Sequence, residues 1–291
     1  MLWPAANANG RPIVISAISD RPIARVVVAF DAVGEHQSSA ETAAQLANWL
    51  DAALYGIFIE DDALLRLAGL PFARHIGASG KGLETFEEET LLHQFKAHAA
   101  RARTAIEAAA IAEKVDWSFD VIRGSIAIAS GALGDHDLLV VEAASRPFAG
   151  GMRLDSRLLD AAIATGRPLL VIRDGSSPVK SVVVLVVDDG ALSKAAIATA
   201  AGIAAASGRA LGVFVADGYL SSAEIRALVG GTSEKLARGC LIETFSDRDQ
   251  TLARQARRGD LLVVAIDPNA DPAAALRDVL AKTQADVYFL R

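Results

Sequence analysis

Cysteine is almost absent from this sequence. Among 291 residues there is one, Cys240, so no disulfide closes within the chain and no thiolate cage holds a metal. It stands in the run Cys240-Leu241-Ile242, where a small buried hydrophobe is expected. An excess of positive charge is missing as well. With 29 Lys and Arg against 35 Asp and Glu, the net charge is −6 and the sequence pI about 5.4. Counterion release therefore favours neither nucleic acid nor an anionic membrane surface as a general partner. Long hydrophobic runs are also lacking. The most apolar stretch, residues 182–187, falls far short of the roughly 20 residues a membrane helix needs. The start, Met1-Leu2-Trp3-Pro4, has neither the basic stretch nor the apolar core of a secretory leader, so a cytoplasmic location without a membrane partner is expected.

What the chain does have is 52% hydrophobic residues and 22% charged ones, enough to fill a sizeable core. Its length suits two domains of about 130–150 residues. Residues 1–24, with Pro4, Gly10, Pro12 and Pro22, read as an N-terminal arm. Order begins at Arg25-Val26-Val27-Val28-Ala29-Phe30-Asp31, apolar throughout, as a parallel strand covered on both faces should be. Ser38-Ser39-Ala40-Glu41 has the spacing of a capping box opening a helix with Ala43, Leu46, Ala47 and Leu50 on one face. A second buried strand follows at 54–59.

The same order returns. Val183-Val184-Leu185-Val186-Val187-Asp188 leads to an alanine-rich helix and a strand at 211–215. The aspartates closing the first strands differ by 157 (188 − 31), as do the leucines opening the second strands (211 − 54), which predicts a gap-free internal repeat. Later strands are expected at 117–122, 137–141 and 169–172 in copy one, and at 241–245, 260–264 and 287–290 in copy two. Helices are expected from about 154, from about 249 and over 272–283. Asp174-Gly175-Ser176-Ser177-Pro178 marks the boundary, giving units at 25–174 and 179–291. Strands alternating with helices imply an α/β fold with a doubly wound, mostly parallel five-stranded sheet in each unit.

Several motifs invite a chemical reading. Gly77-Ala78-Ser79-Gly80-Lys81-Gly82 departs from a Walker loop, which needs glycine at His75 and Ser or Thr at Gly82; a hinge before a helix over 84–113 fits better. Glu60-Asp61-Asp62 sits past a strand's carboxyl end, where open sheets place ligands, yet such clusters commonly serve as caps or solvated loops. His93 and His98, five apart, point about 140° away from each other around a helix, so no zinc pair forms. No Gly-x-Ser-x-Gly elbow exists. Leu64, Leu65, Leu67, Leu70 and Phe72 are expected to cover the sheet.

The valine-rich strands ending in Asp31 and Asp188, and the later Asp-Leu-Leu-Val-Val strands, make residues 25–291 resemble a tandem universal stress protein of the adenine nucleotide alpha hydrolase-like type. The resemblance implies that the two units pack as an intrachain pseudo-dimer through their apolar final strands. It further implies that ATP-binding members use the aspartate closing the first strand. They also use a Gly-x-x-Gly loop after the fourth strand, followed nine residues on by Gly-Ser or Gly-Thr. With the fourth strand ending at Val141, that pattern falls on Glu142, Ser145, Asp155 and Ser156. Carboxylates replace glycines there, and at an effective dielectric of about 20 each like-charge contact at about 4 Å costs about 4 kcal/mol. In copy two, Asp267-Pro268-Asn269-Ala270-Asp271-Pro272 enters the helix almost at once and leaves no phosphate loop.

The expectation is thus a non-catalytic regulatory or interaction protein of the bacterial stress response with no cofactor, no metal and an unidentified protein partner, open to further homodimerisation. One alternative is an ATP or AMP switch, with weak hydrolysis, using Asp31, Ser145 and Ser156 in the first unit. A second is a small-metabolite binder in the clefts at Asp31 and Asp188.

Overall fold

The computed structural model describes residues 23–30, 36–68, 74–76, 83–85, 88–124, 133–143, 162–173, 179–266 and 270–290. The first half contains β1 (Arg25–Phe30), α1 (His36–Leu50), β2 (Ala53–Asp61), α2 (Asp62–Ala68), β3 (Arg74–Ile76), β4 (Leu83–Thr85), α3 (Glu88–Glu113), β5 (Trp117–Gly124), β6 (Asp137–Ala143) and β7 (Leu169–Arg173). The second contains β8 (Ser181–Val186), α4 (Ala191–Ser207), β9 (Ala210–Ala216), α5 (Ser222–Thr232), α6 (Glu234–Gly239), β10 (Leu241–Phe245), α7 (Arg248–Gln255), β11 (Asp260–Ala265), α8 (Pro272–Lys282) and β12 (Asp286–Leu290).

Ten strands form one sheet in the order β10-β9-β8-β11-β12-β7-β6-β1-β2-β5, while β3 and β4 pair as a separate antiparallel hairpin. Every pairing in the large sheet is parallel except β7 with β12, which runs Val171 against Val287 and Leu170 against Tyr288. The five-stranded units expected from the repeat are therefore joined edge to edge in one sheet. The apolar runs explain why the inner strands are buried on both faces, whereas the edge strands β5 and β10 are largely exposed. Side chains alternate along a strand, so Val26, Val28, Val182, Val184 and Val186 enter one core layer, and Val27, Val183 and Leu185 the other.

Small residues set how close the helices come. Ala40, Ala43, Ala44 and Ala47 of α1 and Ala196, Ala200, Ala201 and Ala204 of α4 are fully buried. The 26-residue α3 extends for about 39 Å. Its buried Leu91, Phe95, Ala99, Ala102 and Ile106 recur at intervals of three and four, and Phe95 meets Phe58 edge-on at 6.3 Å. Gly56 of β2 is required by close approach, since a Cβ there would stand 2.6 Å from the Phe119 ring. Among the described residues, no helix is long and apolar enough to cross a membrane.

Pairing registers align the two halves and correct the gap-free repeat. Val26 lies beside Leu54 and Leu138, and Val182 beside Leu211 and Leu261. The second strands keep the offset of 157, but the first strands differ by 156 (182 − 26). The buried alanines of α1 and α4 return to 157, as in Ala43 and Ala200. The second half thus carries one extra residue in its first strand-to-helix turn, a place where chain length commonly varies. Phe30 is level with Val186, and Asp188 lies two residues beyond that level, whereas Asp31 is one residue beyond in sequence.

Two further expectations change. Helix α1 begins at His36, so Ser38 lies inside it and does not cap it; Ser39 is 1% exposed. The stretch read as a hinge before the helix is flanked by the β3–β4 hairpin, with residues 77–82 outside the described residues. The helix expected from about 154 is described only over 162–164.

Candidate functional site

Open α/β sheets bind ligands at the carboxyl ends of their strands, where successive connections leave on opposite faces. In the first half that place lies between β1 and β6, and in the second between β8 and β11. The first-half residues expected to act there, Asp31, Ser145 and Ser156, lie outside the described residues, as does Asp155. The neighbouring Glu142 is described, and it is a strand residue. Strand β6 runs two residues beyond Val141, with Glu142 in register with Ile172 of β7. The first position of the expected phosphate pattern therefore belongs to the sheet, and the loop starts later.

In the second-half crevice Asp188 and Asp271 are described, while 267–269 lie outside the described residues. Asp188 is half-buried, and its Oδ1 accepts the Gly190 N–H at 2.8 Å. Gly190 is the N-cap of α4, with φ −67° and ψ 171° and no side-chain cap of its own. A Cβ on Gly190 would approach Asp188 Oδ1 to 3.0 Å, so the tight aspartate turn suits glycine. Across the crevice, Asp271 caps α8, its Oδ1 accepting the Ala273 N–H at 3.0 Å, and Pro272 fills the first helical position. Helix N-termini attract anions through free N–H groups and the helix dipole. Here Asp271 takes the Ala273 N–H and Asp188 the N–H of Gly190, while the first-turn N–H groups of α4 carry no side-chain cap. Asp189 adds a third carboxylate, so the charge at these helix starts has the wrong sign for phosphate.

The other motifs resolve into structural roles. Asp61 Oδ1 accepts the Ala63 N–H at 2.7 Å, Asp62 pairs with Arg66 at 3.5 Å, and Glu60 pairs with Arg123 at 3.1 Å. Each carboxylate of the acidic cluster thus has a separate partner. Among the described residues, no group of three His, Cys, Asp or Glu could hold a metal. Cys240 is 7% exposed and its thiol donates to the Ala237 carbonyl. A groove of about 1130 Å³ runs between α1 and α3, lined by Gln37, Glu41, Gln45, Arg101, Thr104 and several alanines. It lies on the helical layer, away from the strand ends.

Sequence reasoning missed a polar network at the amino ends of the strands. Arg25 donates through Nε and Nη2 to Asp137 at 3.0 and 2.6 Å, and Asp137 is 2% exposed. These hydrogen bonds hold the Arg25 guanidinium above its ordinary pKa. Its carbon Cζ sits 5.1 Å from the centre of the Tyr55 ring, and the Tyr55 hydroxyl donates to Asp120 at 2.7 Å. Burial, then the bond to Asp120, pushes the Tyr55 phenol up to about 12. The second half repeats the frame with another partner: Ser181 Oγ donates to Asp260 Oδ1. In both halves the aspartate also closes a turn, from Gly134 N–H at 2.6 Å and from Arg257 N–H at 2.9 Å. The available signal was a charged residue opening the same apolar strand twice, in Asp137-Leu138-Leu139 and Asp260-Leu261-Leu262.

The sequence matches no protein-family model and no curated protein. Its fold matches solved structures. A universal stress protein from Archaeoglobus fulgidus DSM 4304 aligns with TM-score 0.60 and 10% identity over 92% of this chain and 98% of that one. A Pseudomonas aeruginosa UCBPP-PA14 protein described as a universal stress protein aligns with TM-score 0.55 and 16% identity, covering 92% and 93%. A protein of unknown function from Pseudomonas aeruginosa PAO1 gives TM-score 0.55 and 15% identity, covering 92% of each chain. The chain has the universal stress protein fold.

Proposed function

We propose that this chain uses the universal stress protein fold as two units, 25–174 and 179–291, acting through protein interaction and not through catalysis or ATP binding of the usual kind. The observation that carries the reading is the set of carboxylates at the two helix starts of the second-half crevice: Asp188 bonded to the Gly190 N–H, Asp271 bonded to the Ala273 N–H, and the exposed Asp189. A bound phosphate needs free backbone N–H groups and positive surroundings; here one α8 donor is taken and the surrounding charge is negative. The short turn into α8 also supports the reading, because it leaves little backbone to wrap a polyphosphate.

Calorimetric titration of the full chain with ATP, ADP and AMP tests it. No heat and no thermal stabilisation at millimolar nucleotide is expected, since a ligand binding only the folded state must raise stability by mass action. Stabilisation by ATP that disappears in Asp31→Ala would overturn the reading in favour of a nucleotide switch in the first unit.

A further inference from the structure

Strand polarity decides which charges share a surface. Because β7 and β12 pair antiparallel, the amino ends of the first-half strands lie on the same long edge of the sheet as the carboxyl ends of the second-half strands. That edge is acidic. Asp51, Asp116 and Asp135 stand within two residues of the starts of β2, β5 and β6, while Asp189, Asp217 and Asp271 follow β8, β9 and β11, and all six are exposed, against the exposed Lys114 before β5. Of these, Asp135 pairs with Arg167.

The opposite edge is basic along the second half. Lys180 directly precedes β8 and Arg209 directly precedes β9. Lys235 and Arg238 lie on α6 before β10, and Arg254 and Arg257 lie before β11. All six are exposed, and none forms an ion pair with a described residue. Arg238 and Arg257 donate to the carbonyls of Glu234 and Arg254 near helix ends, a cap that cations commonly supply. No such contact accounts for Lys180, Arg209 or Lys235; the acids set among them are Glu234 and the part-buried Asp260, whose carboxylate is taken by Ser181 and the Arg257 N–H. A six-residue strand spans about 20 Å, whereas screening at physiological salt acts over about 8 Å. The two edges therefore do not neutralise each other, although the chain as a whole carries −6.

We propose that the basic edge of the second half docks on the acidic edge of a second copy of this chain, head to tail. Charge complementarity selects this occupant: the chain itself carries an exposed acidic surface to match the basic one. The patches lie on opposite edges, so the contact is heterologous and propagates instead of closing as a two-fold dimer. The proposal rests on the interaction reading above, but the two fail separately. Stabilisation by ATP would overturn that reading, whereas a chain that stays monomeric overturns only the assembly.

Sedimentation velocity of the full chain provides the test. Oligomers are expected at about 50 mM salt, weakening about tenfold or more by about 500 mM. A basic-edge reversal (Lys180→Glu, Arg209→Glu, Arg257→Glu) and an acidic-edge reversal (Asp116→Lys, Asp189→Lys, Asp217→Lys) should each sediment as monomers with unchanged circular dichroism. Mixing the two should restore association. A wild-type chain that is monomeric at every salt concentration overturns the proposal. So does association that survives both reversals. A monomer that binds a short DNA duplex through the basic edge overturns the choice of occupant.

Discussion

Arg173 and Asp286 tie the halves together where their last strands meet. The Arg173 backbone N–H donates to Asp286 Oδ1 at 2.9 Å, and its guanidinium reaches the carbonyls of Ala285 at 3.2 Å and Leu280 near the end of α8. Burial lowers the Arg173 pKa, and the charge of Asp286 opposes that shift. The one antiparallel pairing in the large sheet is thus clamped by a first-half arginine that lies against a second-half helix.

Asp286 is 3% exposed, so deleting its carboxylate leaves the part-buried Arg173 N–H short of an acceptor and the half-buried guanidinium without its nearby opposite charge. Asp286→Ala should lower the unfolding free energy by about 2 kcal/mol, the scale of a hydrogen bond to a charged group. Urea denaturation reads this as a lower midpoint. An unchanged midpoint would remove the clamp from the account.

Helix α4 carries two hydroxyls that work against it. Ser193 is 1% and Thr199 0% exposed, and neither hydroxyl has a hydrogen-bond partner. Thr199→Val keeps the volume and removes a buried unsatisfied group, so a gain of about 1 kcal/mol is expected. A lower melting temperature would mean that the hydroxyl has an acceptor.

Tyr55 makes stability depend on alkaline pH. Its phenol is raised from 10.0 to about 12, so between those values the folded chain holds a proton that the unfolded chain has released. Its contribution is complete below pH 10 and falls away as pH rises towards 12. Unfolding followed across that window should show a loss that Tyr55→Phe lacks. Equal pH slopes in the two proteins would contradict the burial of the hydroxyl against Asp120.

In this account the Asp188 carboxylate serves its own turn. Asp188→Ala should cost about 0.5–1 kcal/mol, the scale of one hydrogen bond within a turn. It should leave nucleotide titrations as flat as those of the parent chain. A neutral melting curve combined with a lost metabolite or nucleotide signal would return this residue to a ligand site.

Gly56 offers a packing test. A methyl group there meets the Phe119 ring at 2.6 Å, and overpacking of this kind costs about 1–3 kcal/mol. Gly56→Ala should therefore melt earlier, and Gly56→Ala with Phe119→Leu should recover part of the loss.

Much of the fold was legible because buried parallel strands must be apolar on both faces. The runs at Val26–Val28 and 211–215 fall on β1 and β9. Ends were harder: β6 runs past Val141 to Ala143 because its last residues pair with β7, a contact between segments distant in sequence. The capping box at Ser38 failed because α1 starts earlier, at His36, with the exposed Gln37 bonded one turn on to Glu41. Of the expected site, Asp188 was found at a turn, but its bond to Gly190 depends on backbone geometry that residue spacing does not encode.

By itself the sequence determined the repeated order of strands and helices, because apolar periodicity and small helix residues act locally. Only the tertiary structure decided that the two halves meet antiparallel through β7 and β12. That choice arises from pairing two strand edges more than a hundred residues apart, and no local pattern specifies it. The same pairing gathers carboxylates from the starts of one half and the ends of the other onto a single edge. The charges were visible in the sequence from the beginning, but strand direction made them a surface.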